Sequence, residues 1–154
     1  MTTSDVGAGD DASTCGVGTN DAPGIKTTNI PTVAPAMVGG SIAVGTYYAT
    51  AHNIYTGIGG ASGQASALEY DTLAFTSSAF NEAVAIVVND AGALSQSTAS
   101  GTYSVAGSTI TFDVDCPPPP VVGYPTTYSA DGGTLTLQEV GSGFTDEHVY
   151  TRQL

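Results

Sequence analysis

Positively charged residues are almost absent from this sequence of 154 residues. Lys and Arg together number 2 against 14 Asp and Glu, which gives a formal net charge of −12 at pH 7. Such a chain repels the phosphate backbone of a nucleic acid and the surface of an anionic membrane. The composition therefore excludes nucleic acid as a partner.

Long apolar runs are also missing. The sequence has no stretch of the roughly 18 consecutive apolar residues that a membrane-spanning helix needs, so we expect no membrane span. Residues 1–21 show neither the basic start nor the apolar segment of a signal peptide. Either the protein is cytosolic or Met1 replaces a removed leader. Because the polar residues are mainly Ser, Thr, Gly and Asn, as in many secreted bacterial proteins, we predict an extracellular, periplasmic or outer-envelope location.

Cysteine is scarce, and its placement excludes the common metal and redox motifs. Cys15 and Cys116 lack the C-x-x-C spacing of a zinc site or a thioredoxin-like motif. They are either unrelated thiols or partners in one long-range disulfide. Cys116 ends a β-like segment just where four prolines begin, and it has only one possible partner. We therefore predict a Cys15–Cys116 disulfide that holds the N-terminal segment.

Catalytic motifs are absent as well. The sequence has no Gly-rich phosphate loop, no zinc-binding histidine pair and no nucleophile elbow, so we predict no cofactor and no metal. His52 lies in a tyrosine-rich segment and is expected to be a half-buried packing residue. His148 shares a strand face with Asp146, but no Ser or Cys nucleophile is placed beside them. Asp113 and Asp115 share another face and are expected to be solvated rather than catalytic or Ca²⁺-binding.

The sequence is rich in β-strand signals after residue 40. Residues 1–40 are dominated by Gly, Thr, Asp, Ala and Pro without apolar periodicity, which predicts an irregular N-terminal arm or tether. In residues 41–154, short runs of Val, Ile, Thr, Tyr and Phe alternate with Gly, Asn, Asp and Ser. The predicted strands cover residues 44–56, 66–76, 79–89, 101–106, 109–115, 123–130, 133–140 and 145–152.

Two hairpins and the alternation of side chains indicate how these strands assemble. The turns are expected at Ala106-Gly107-Ser108 and Asp131-Gly132-Gly133, where glycine accepts a positive φ. Ile110, Phe112 and Val114 fall on one face of a strand with polar residues opposite. Closure removes the unpaired edges of such a meander. The predicted fold is an all-β, antiparallel up-and-down β-barrel of about eight strands, with an irregular N-terminal arm.

The order of "GTYYATAHNIYTG", "GTYSVAGSTITF", "YSADGGTLTL" and "HVYTRQL" resembles bacterial lipocalin-like domains of secreted lipoproteins, within the calycin superfamily. The resemblance covers residues 41–154. Calycins begin their first strand with Gly-x-Trp, and an Arg near the C-terminus stacks on that Trp. Gly45-Thr46-Tyr47 stands in this place, with Tyr for Trp, and Arg152 is the single arginine. The resemblance implies that Tyr47 and Arg152 meet at one barrel end.

The same resemblance implies a ligand in the barrel interior. Fatty-acid-binding relatives hold a carboxylate with an Arg-x-Tyr pair on the last strand, where this chain has His148-Val149-Tyr150. Neutral imidazole is a poor anion clamp, so a neutral hydrophobic ligand is expected. Alternatively, the side chains fill the barrel and nothing binds. The residues predicted to line the interior are Tyr55, Phe80, Phe112, Leu137, His148 and Tyr150.

Three functions fit these observations. The first is a non-catalytic, secreted lipocalin-like domain that binds a small hydrophobic ligand or a surface partner. The second is a structural subunit whose N-terminal arm packs on a neighbouring subunit. The third is a cofactor-free barrel cyclase or isomerase. An enclosed cavity in which Tyr, His and carboxylate groups converge would favour the third.

Overall fold

The chain folds into β-strands and loops, with no helix, over the residues that the computed structural model describes: residue 15, residues 20–88 and residues 93–154. Short runs of β-branched and aromatic residues between Gly- and Pro-containing turns account for this content. There are ten strands in this part of the chain. They are β1 (Ile25–Ile30), β2 (Gly39–Ser41), β3 (Gly45–Tyr55), β4 (Gly63–Phe75), β5 (Ala79–Val88), β6 (Ala93–Ala106), β7 (Thr109–Cys116), β8 (Val121–Asp131), β9 (Thr134–Val140) and β10 (Thr145–Arg152).

Nine of these strands close into a mixed barrel in the order β8-β7-β6-β5-β4-β1-β3-β10-β9, and β9 pairs back to β8. The short β2 adds in parallel to the C-terminal end of β8. All barrel pairings are antiparallel except that of β1 with β3. Among the described strands closure leaves no long unpaired edge, as expected from the predicted meander.

The ninth strand corrects the prediction of about eight antiparallel strands behind an irregular arm. β1 comes from residues 25–30 of that arm and lies between β3, parallel to it, and β4, antiparallel to it. β3 and β4 pair directly only between Gly45–Tyr48 and Thr72–Phe75. Beyond that point β1 bonds to both strands, and it satisfies backbone groups that would otherwise be left unpaired.

The eight strands predicted from the sequence correspond to β3–β10, with differences of a few residues except at the start of β6. Both predicted hairpin turns are present, with Gly107 at φ 59° and Gly132 at φ 86°. At the second turn, Oδ1 of Asp131 accepts hydrogen bonds from the backbone N–H groups of Gly133 and Thr134, at 2.9 and 2.7 Å. Turn chemistry therefore fixes the register of these hairpins.

The predicted disulfide is confirmed. The sulfur atoms of Cys15 and Cys116 are 2.07 Å apart, and Cys15 is buried. The bond ties the N-terminal segment to the end of β7 across 101 residues of sequence. Disulfides persist in oxidising environments such as the cell exterior.

The apolar core fills one end of the barrel, called here the closed end. Its largest fully buried side chains include Tyr47, Leu73, Tyr128 and Leu135. The Tyr47 and Tyr128 hydroxyls donate hydrogen bonds to the backbone carbonyls of Ala43 and Gly40, at 2.8 and 2.9 Å. Burying aromatic rings while satisfying their hydroxyl groups makes this end rigid.

Tyr47 and Arg152, the pair implied to meet at one barrel end, are register partners across β3 and β10. The Tyr47 ring turns into the core and packs edge-on to Phe75, with 5.9 Å between ring centroids. Nη2 of Arg152 donates a hydrogen bond to the carbonyl of Val44 at 2.7 Å. Among the described residues no cation–π contact joins the two, because the guanidinium lies over the backbone at Gly45 instead.

The part of the chain that the structure describes contains no helix with the length and apolar character needed to cross a bilayer.

Candidate functional site

A cavity of about 440 Å³ occupies the barrel interior beyond the closed end. One wall is apolar and comprises Leu73, Phe80, Val84, Ile86, Ala99, Phe112, Val114 and Leu137. The polar lining residues are His52, Glu69, Asp71, Glu82, Tyr124, Thr126, Glu139, Asp146, His148 and Tyr150. The cavity reaches solvent at its mouth, formed by Ile86, Tyr124, Glu139 and Asp146, all of which are partly or largely exposed.

Five of the six predicted interior residues line this cavity. Phe80, Phe112, Leu137, His148 and Tyr150 do so from four different strands. The sixth, Tyr55, lies outside the cavity, and its hydroxyl donates a hydrogen bond to Oε1 of Glu147 at 3.1 Å.

A β-bulge explains the position of Tyr55. Along β3 the pairing with β10 passes from Ala49 to Ala51 while β10 advances by one residue, so Thr50 is the extra residue. Strict alternation from the buried Tyr47 would place Tyr55 inside and His52 outside. The bulge reverses this phase, so that His52 faces the cavity.

His52 and His148 form a closed cluster with two carboxylates, called here the histidine–carboxylate cluster: His52, Glu69, Asp146 and His148. The two imidazole rings stack with centroids 4.0 Å apart. On one side, Oε2 of Glu69 lies 2.7 Å from Nδ1 of His52, and Oε1 lies 2.9 Å from Nε2 of His148. On the other side, Oδ1 of Asp146 lies 2.9 Å from Nε2 of His52 and 3.4 Å from Nδ1 of His148.

The electrostatics of this cluster follow from its pairing. Burial alone would lower the pKa of His52, but hydrogen bonds with Asp146 and Glu69 raise it to about 9. Burial would raise the pKa of Glu69, but hydrogen bonds from the two histidines lower it to about 2. The pKa of His148 is raised, because the hydrogen bond with Glu69 outweighs its burial and the repulsion from His52. The charges of the cluster therefore compensate one another.

Asp71 presents the opposite situation. Its side chain is 2% exposed, and Oδ2 accepts a hydrogen bond from the Tyr150 hydroxyl. The other oxygen, Oδ1, is buried without a hydrogen-bond partner. Burial raises the pKa of Asp71 to about 6, although the bond from Tyr150 acts to lower it. An unpaired acceptor therefore lies on the cavity wall.

Glu82 adds a second carboxyl group near Asp71. In the β4–β5 register Glu82 faces Leu73 while Asp71 faces Val84, so the two carboxyl groups are diagonal neighbours on one wall. Burial and then the charge of Asp71 raise the pKa of Glu82 to about 7. Two carboxyl groups that gain or lose protons near neutral pH thus share the interior with Tyr150.

Sequence reasoning did not single out Glu69, Asp71 or Glu82. The signal was available on β4, where Glu69 and Asp71 alternate in phase with Leu73 and Phe75 of the core. Carboxylates in phase with core residues are expected inside the barrel. Their meeting with His52 and His148 depends on the order of β4, β3 and β10, which no local pattern in the sequence gives.

The remaining carboxylates considered from the sequence lie away from the cavity. Oδ1 of Asp113 accepts a hydrogen bond from the backbone N–H of Gly123 at 2.7 Å, and Asp115 is exposed. At the mouth, Tyr124 donates a hydrogen bond to Oε2 of Glu139 at 2.6 Å, and this bond together with burial raises the pKa of Tyr124 to about 12.

Three chemical capacities follow from this arrangement. The cavity offers an apolar wall for a small molecule, and an unpaired carboxylate oxygen for a donor group on it. Asp71 and Glu82, whose pKa values are raised by burial, are suited to proton transfer. His52, Asp146 and His148 place three potential metal-ligand atoms within 4.8 Å of one another.

Comparisons of the chain with models of protein families, with curated proteins and with solved structures found no match. The resemblance to lipocalin-like domains therefore stays a prediction.

Proposed function

We propose that this protein is a non-catalytic binding barrel whose ligand has an apolar body and a cationic, hydrogen-bond-donating head, such as an alkylamine. The observation that carries the proposal is the buried Oδ1 of Asp71, which lacks a partner and belongs to a residue of the cavity wall. A buried acceptor without a donor costs free energy, which a ligand N–H group would recover.

Charge determines which head group fits. The histidine–carboxylate cluster balances its own charges, so Asp71 and Glu82 leave negative charge uncompensated in the interior. Neither Lys26 nor Arg152, the two cations of the chain, lines the cavity. An anionic head would be repelled, whereas an ammonium group supplies both charge and donors. This changes the expectation of a neutral ligand to that of an amine.

Size and polarity agree with a small amphipathic molecule. A volume of about 440 Å³ lies within the usual range of ligand pockets, roughly 300 to 1,000 Å³. The apolar wall, with Phe80 and Phe112 edge-on at 4.8 Å, would cover the body of the ligand. Asp71 and Glu82 lie beside residues of this wall on β4 and β5, so the head would bind next to the apolar body.

The test compares decylamine, decanol and decanoate by isothermal titration calorimetry in the presence of EDTA. The amine should bind about tenfold more tightly than the alcohol, and decanoate should bind most weakly. Asp71→Asn should remove most of the amine's advantage. Glu139→Gln at the mouth is the matched control and should keep it. Preference for decanoate, or no binding of any of the three, overturns the proposal.

A second candidate function is a cofactor-free isomerase or cyclase. It is favoured by the convergence of Tyr150, His148, Asp71 and Glu82 on one cavity, the feature expected of such an enzyme. A general base works best with a pKa near the operating pH, which burial gives to Asp71 and Glu82. Exchange of the α-protons of 2-decanone in D₂O, followed by NMR, tests this: wild type should accelerate exchange and Asp71→Asn should not.

We propose an extracellular or envelope location for this binding function, and a lipocalin-like relationship for its barrel. The disulfide and the Ser-, Thr- and Gly-rich composition support the location. The alternative of a structural subunit uses the N-terminal arm on a neighbour. The described arm residues contact their own barrel through β1 and the disulfide, which favours the binding function. Fractionation of native cells with an antibody tests the location.

A further inference from the structure

We propose that His52, His148 and Asp146 form a binding site for a divalent transition-metal ion of the zinc class, at the mouth of the barrel. This inference does not depend on the proposed amine ligand, because Asp71 and Glu82 take no part in the site. It starts from the arrangement of the four side chains in the histidine–carboxylate cluster.

The three ligand atoms have a spacing that suits a small metal ion. Oδ1 of Asp146 lies 2.9 Å from Nε2 of His52 and 3.4 Å from Nδ1 of His148. In a tetrahedral zinc site with bonds of about 2.0–2.1 Å, the ligand atoms stand about 3.3 Å apart. The third pair, Nε2 of His52 and Nδ1 of His148, lies within 4.8 Å. The two stacked rings would tilt apart so that both nitrogens point at one ion beside Oδ1 of Asp146.

Glu69 occupies the position of an outer carboxylate that orients metal-bound histidines. Its two oxygens each accept from the ring nitrogen that faces away from Asp146: Nδ1 of His52 at 2.7 Å and Nε2 of His148 at 2.9 Å. The Thr27 hydroxyl lies 3.0 Å from Nδ1 of His52 and supports the same ring. Such partners fix the tautomer and orientation of histidine ligands. Here one carboxylate does so for both rings.

Charge balance gives a second, independent argument. The four contacts, three hydrogen bonds and the 3.4 Å approach of Asp146 to Nδ1 of His148, are all attractive only when each ring carries two N–H groups, which stacks two imidazolium rings at 4.0 Å. A divalent cation in place of the two protons on the Asp146 side leaves the charge of the cluster unchanged. The N–H groups on the Glu69 side are kept. The metal thus replaces a repulsive pair of protons with three bonds.

The donor set also determines the class of metal. Two imidazoles and one carboxylate suit Zn²⁺, Co²⁺, Ni²⁺ or Fe²⁺, whereas Ca²⁺ and Mg²⁺ require mainly oxygen ligands. Asp146 is 31% exposed at the mouth, which gives an entry path for the ion and open positions for water. The alternative group of Glu69, Asp71 and His148 is less suitable, since both oxygens of Glu69 already contact histidine nitrogens.

The first experiment is titration of the metal-free chain with Zn²⁺, Co²⁺, Ca²⁺ and Mg²⁺ by calorimetry, with Co²⁺ also followed by its visible absorption. One Zn²⁺ or Co²⁺ should bind per chain, at least about 100-fold more tightly than Ca²⁺ or Mg²⁺. His148→Asn should weaken Zn²⁺ binding about 100-fold, and Glu69→Gln about 10- to 100-fold at unchanged stoichiometry. Asp115→Asn, which removes an exposed carboxylate away from the cavity, is the control and should bind like wild type.

A second measurement needs no variant and therefore does not depend on how a variant folds. Two-dimensional ¹⁵N NMR of the histidine rings should place Zn²⁺ on Nε2 of His52 and Nδ1 of His148, with the other nitrogens still protonated. Four nitrogens unchanged at saturating Zn²⁺, or equal affinity in wild type and His148→Asn, overturns the proposal. The alkylamine titration is performed in EDTA, so its result does not depend on bound metal. Failure of either proposal therefore does not decide the other.

Discussion

The hydroxyl of Tyr150 on β10 donates a hydrogen bond to Oδ2 of Asp71 on β4, with 2.5 Å between the two oxygens. Both side chains are 2% exposed. The bond joins two strands that are separated at this level by β3, so it crosses inside the barrel rather than following the sheet. Among the described residues, the Tyr150 hydroxyl is the only hydrogen-bond partner of the Asp71 carboxyl group.

Replacing Tyr150 by Phe should therefore leave both oxygens of Asp71 without a donor. Because the lost hydrogen bond lowers the pKa of Asp71, that pKa should rise above its present value of about 6. The variant should also lose about 1–3 kcal/mol of unfolding free energy at pH 7. Carboxyl ¹³C NMR and urea unfolding measure the two effects.

Tyr128→Phe is the matched control for this variant. Tyr128 is equally buried, and its hydroxyl donates to the carbonyl of Gly40 in the closed end. Its removal should cost a similar free energy of unfolding while leaving the Asp71 resonance unmoved. If both variants shift that resonance alike, the link between Tyr150 and Asp71 is not specific.

Stability should also depend on pH through Asp71. Its pKa rises on folding from the ordinary 3.8 to about 6, so the folded chain binds more protons in this interval. Protonated Asp71 therefore contributes to the free energy of unfolding below about pH 4, and this contribution is lost as the pH rises to 6. It amounts to about 3 kcal/mol at most. Groups from neighbouring elements face Asp71 as well, namely Glu69, Glu82, His52, His148 and Tyr150.

The comparison of wild type with Asp71→Asn isolates this dependence. In urea unfolding at pH 4, 5, 6 and 7, the free energy of unfolding of Asp71→Asn should increase relative to that of wild type as the pH rises. Asp115→Asn, on the exposed outer face, serves as control and should run parallel to wild type. A constant difference between Asp71→Asn and wild type over this range contradicts the prediction.

The strands that could be predicted from the sequence are those encoded by local patterns. The eight strands β3–β10 follow from alternation and turn residues, because each pair of consecutive strands is encoded in one continuous segment of the chain. β1 was not predicted, because "IKTTNI" lies in Gly- and Pro-rich surroundings. Its partners β3 and β4 start 20 and 38 residues after the start of β1, so no local hairpin pattern marks it. Its strand character comes from the gap it fills rather than from its own propensity.

The site was less predictable than the fold, for two physical reasons. The bulge at Thr50 reverses which side chains of β3 face inward, and no residue type at that point predicts a bulge. The meeting of His52 and His148 with Glu69 requires strands β3, β10 and β4 to be arranged around one cavity. Of the polar residues that line the cavity, only His148 and Tyr150 were predicted to lie in the interior. Their partners Glu69 and Asp71 are brought to them by the closed topology.

The disulfide should contribute strongly to stability. It closes a loop of 101 residues, and the chain-entropy model gives about 4–5 kcal/mol for such a loop. The double variant with both Cys15 and Cys116 replaced by Ser should unfold at lower urea concentration than oxidised wild type. Adding a reductant should lower the wild-type midpoint to that of the variant and leave the variant unchanged. Two alkylatable thiols in unreduced, denatured wild type contradict the bond itself.

The last prediction tests whether β1 is part of the barrel. Thr28 is paired with Asn53 on one side and Gln64 on the other, so Thr28→Pro removes an N–H from a strand with neighbours on both edges. Urea unfolding should show a loss of about 2–3 kcal/mol. Hydrogen exchange should speed up at the backbone amides of Asn53 and Gln64. Ala36→Pro, in the irregular segment 33–38, is the control and should change neither quantity appreciably. If Thr28→Pro and Ala36→Pro behave alike, residues 25–30 are a loose arm and the barrel has eight strands, which contradicts the prediction.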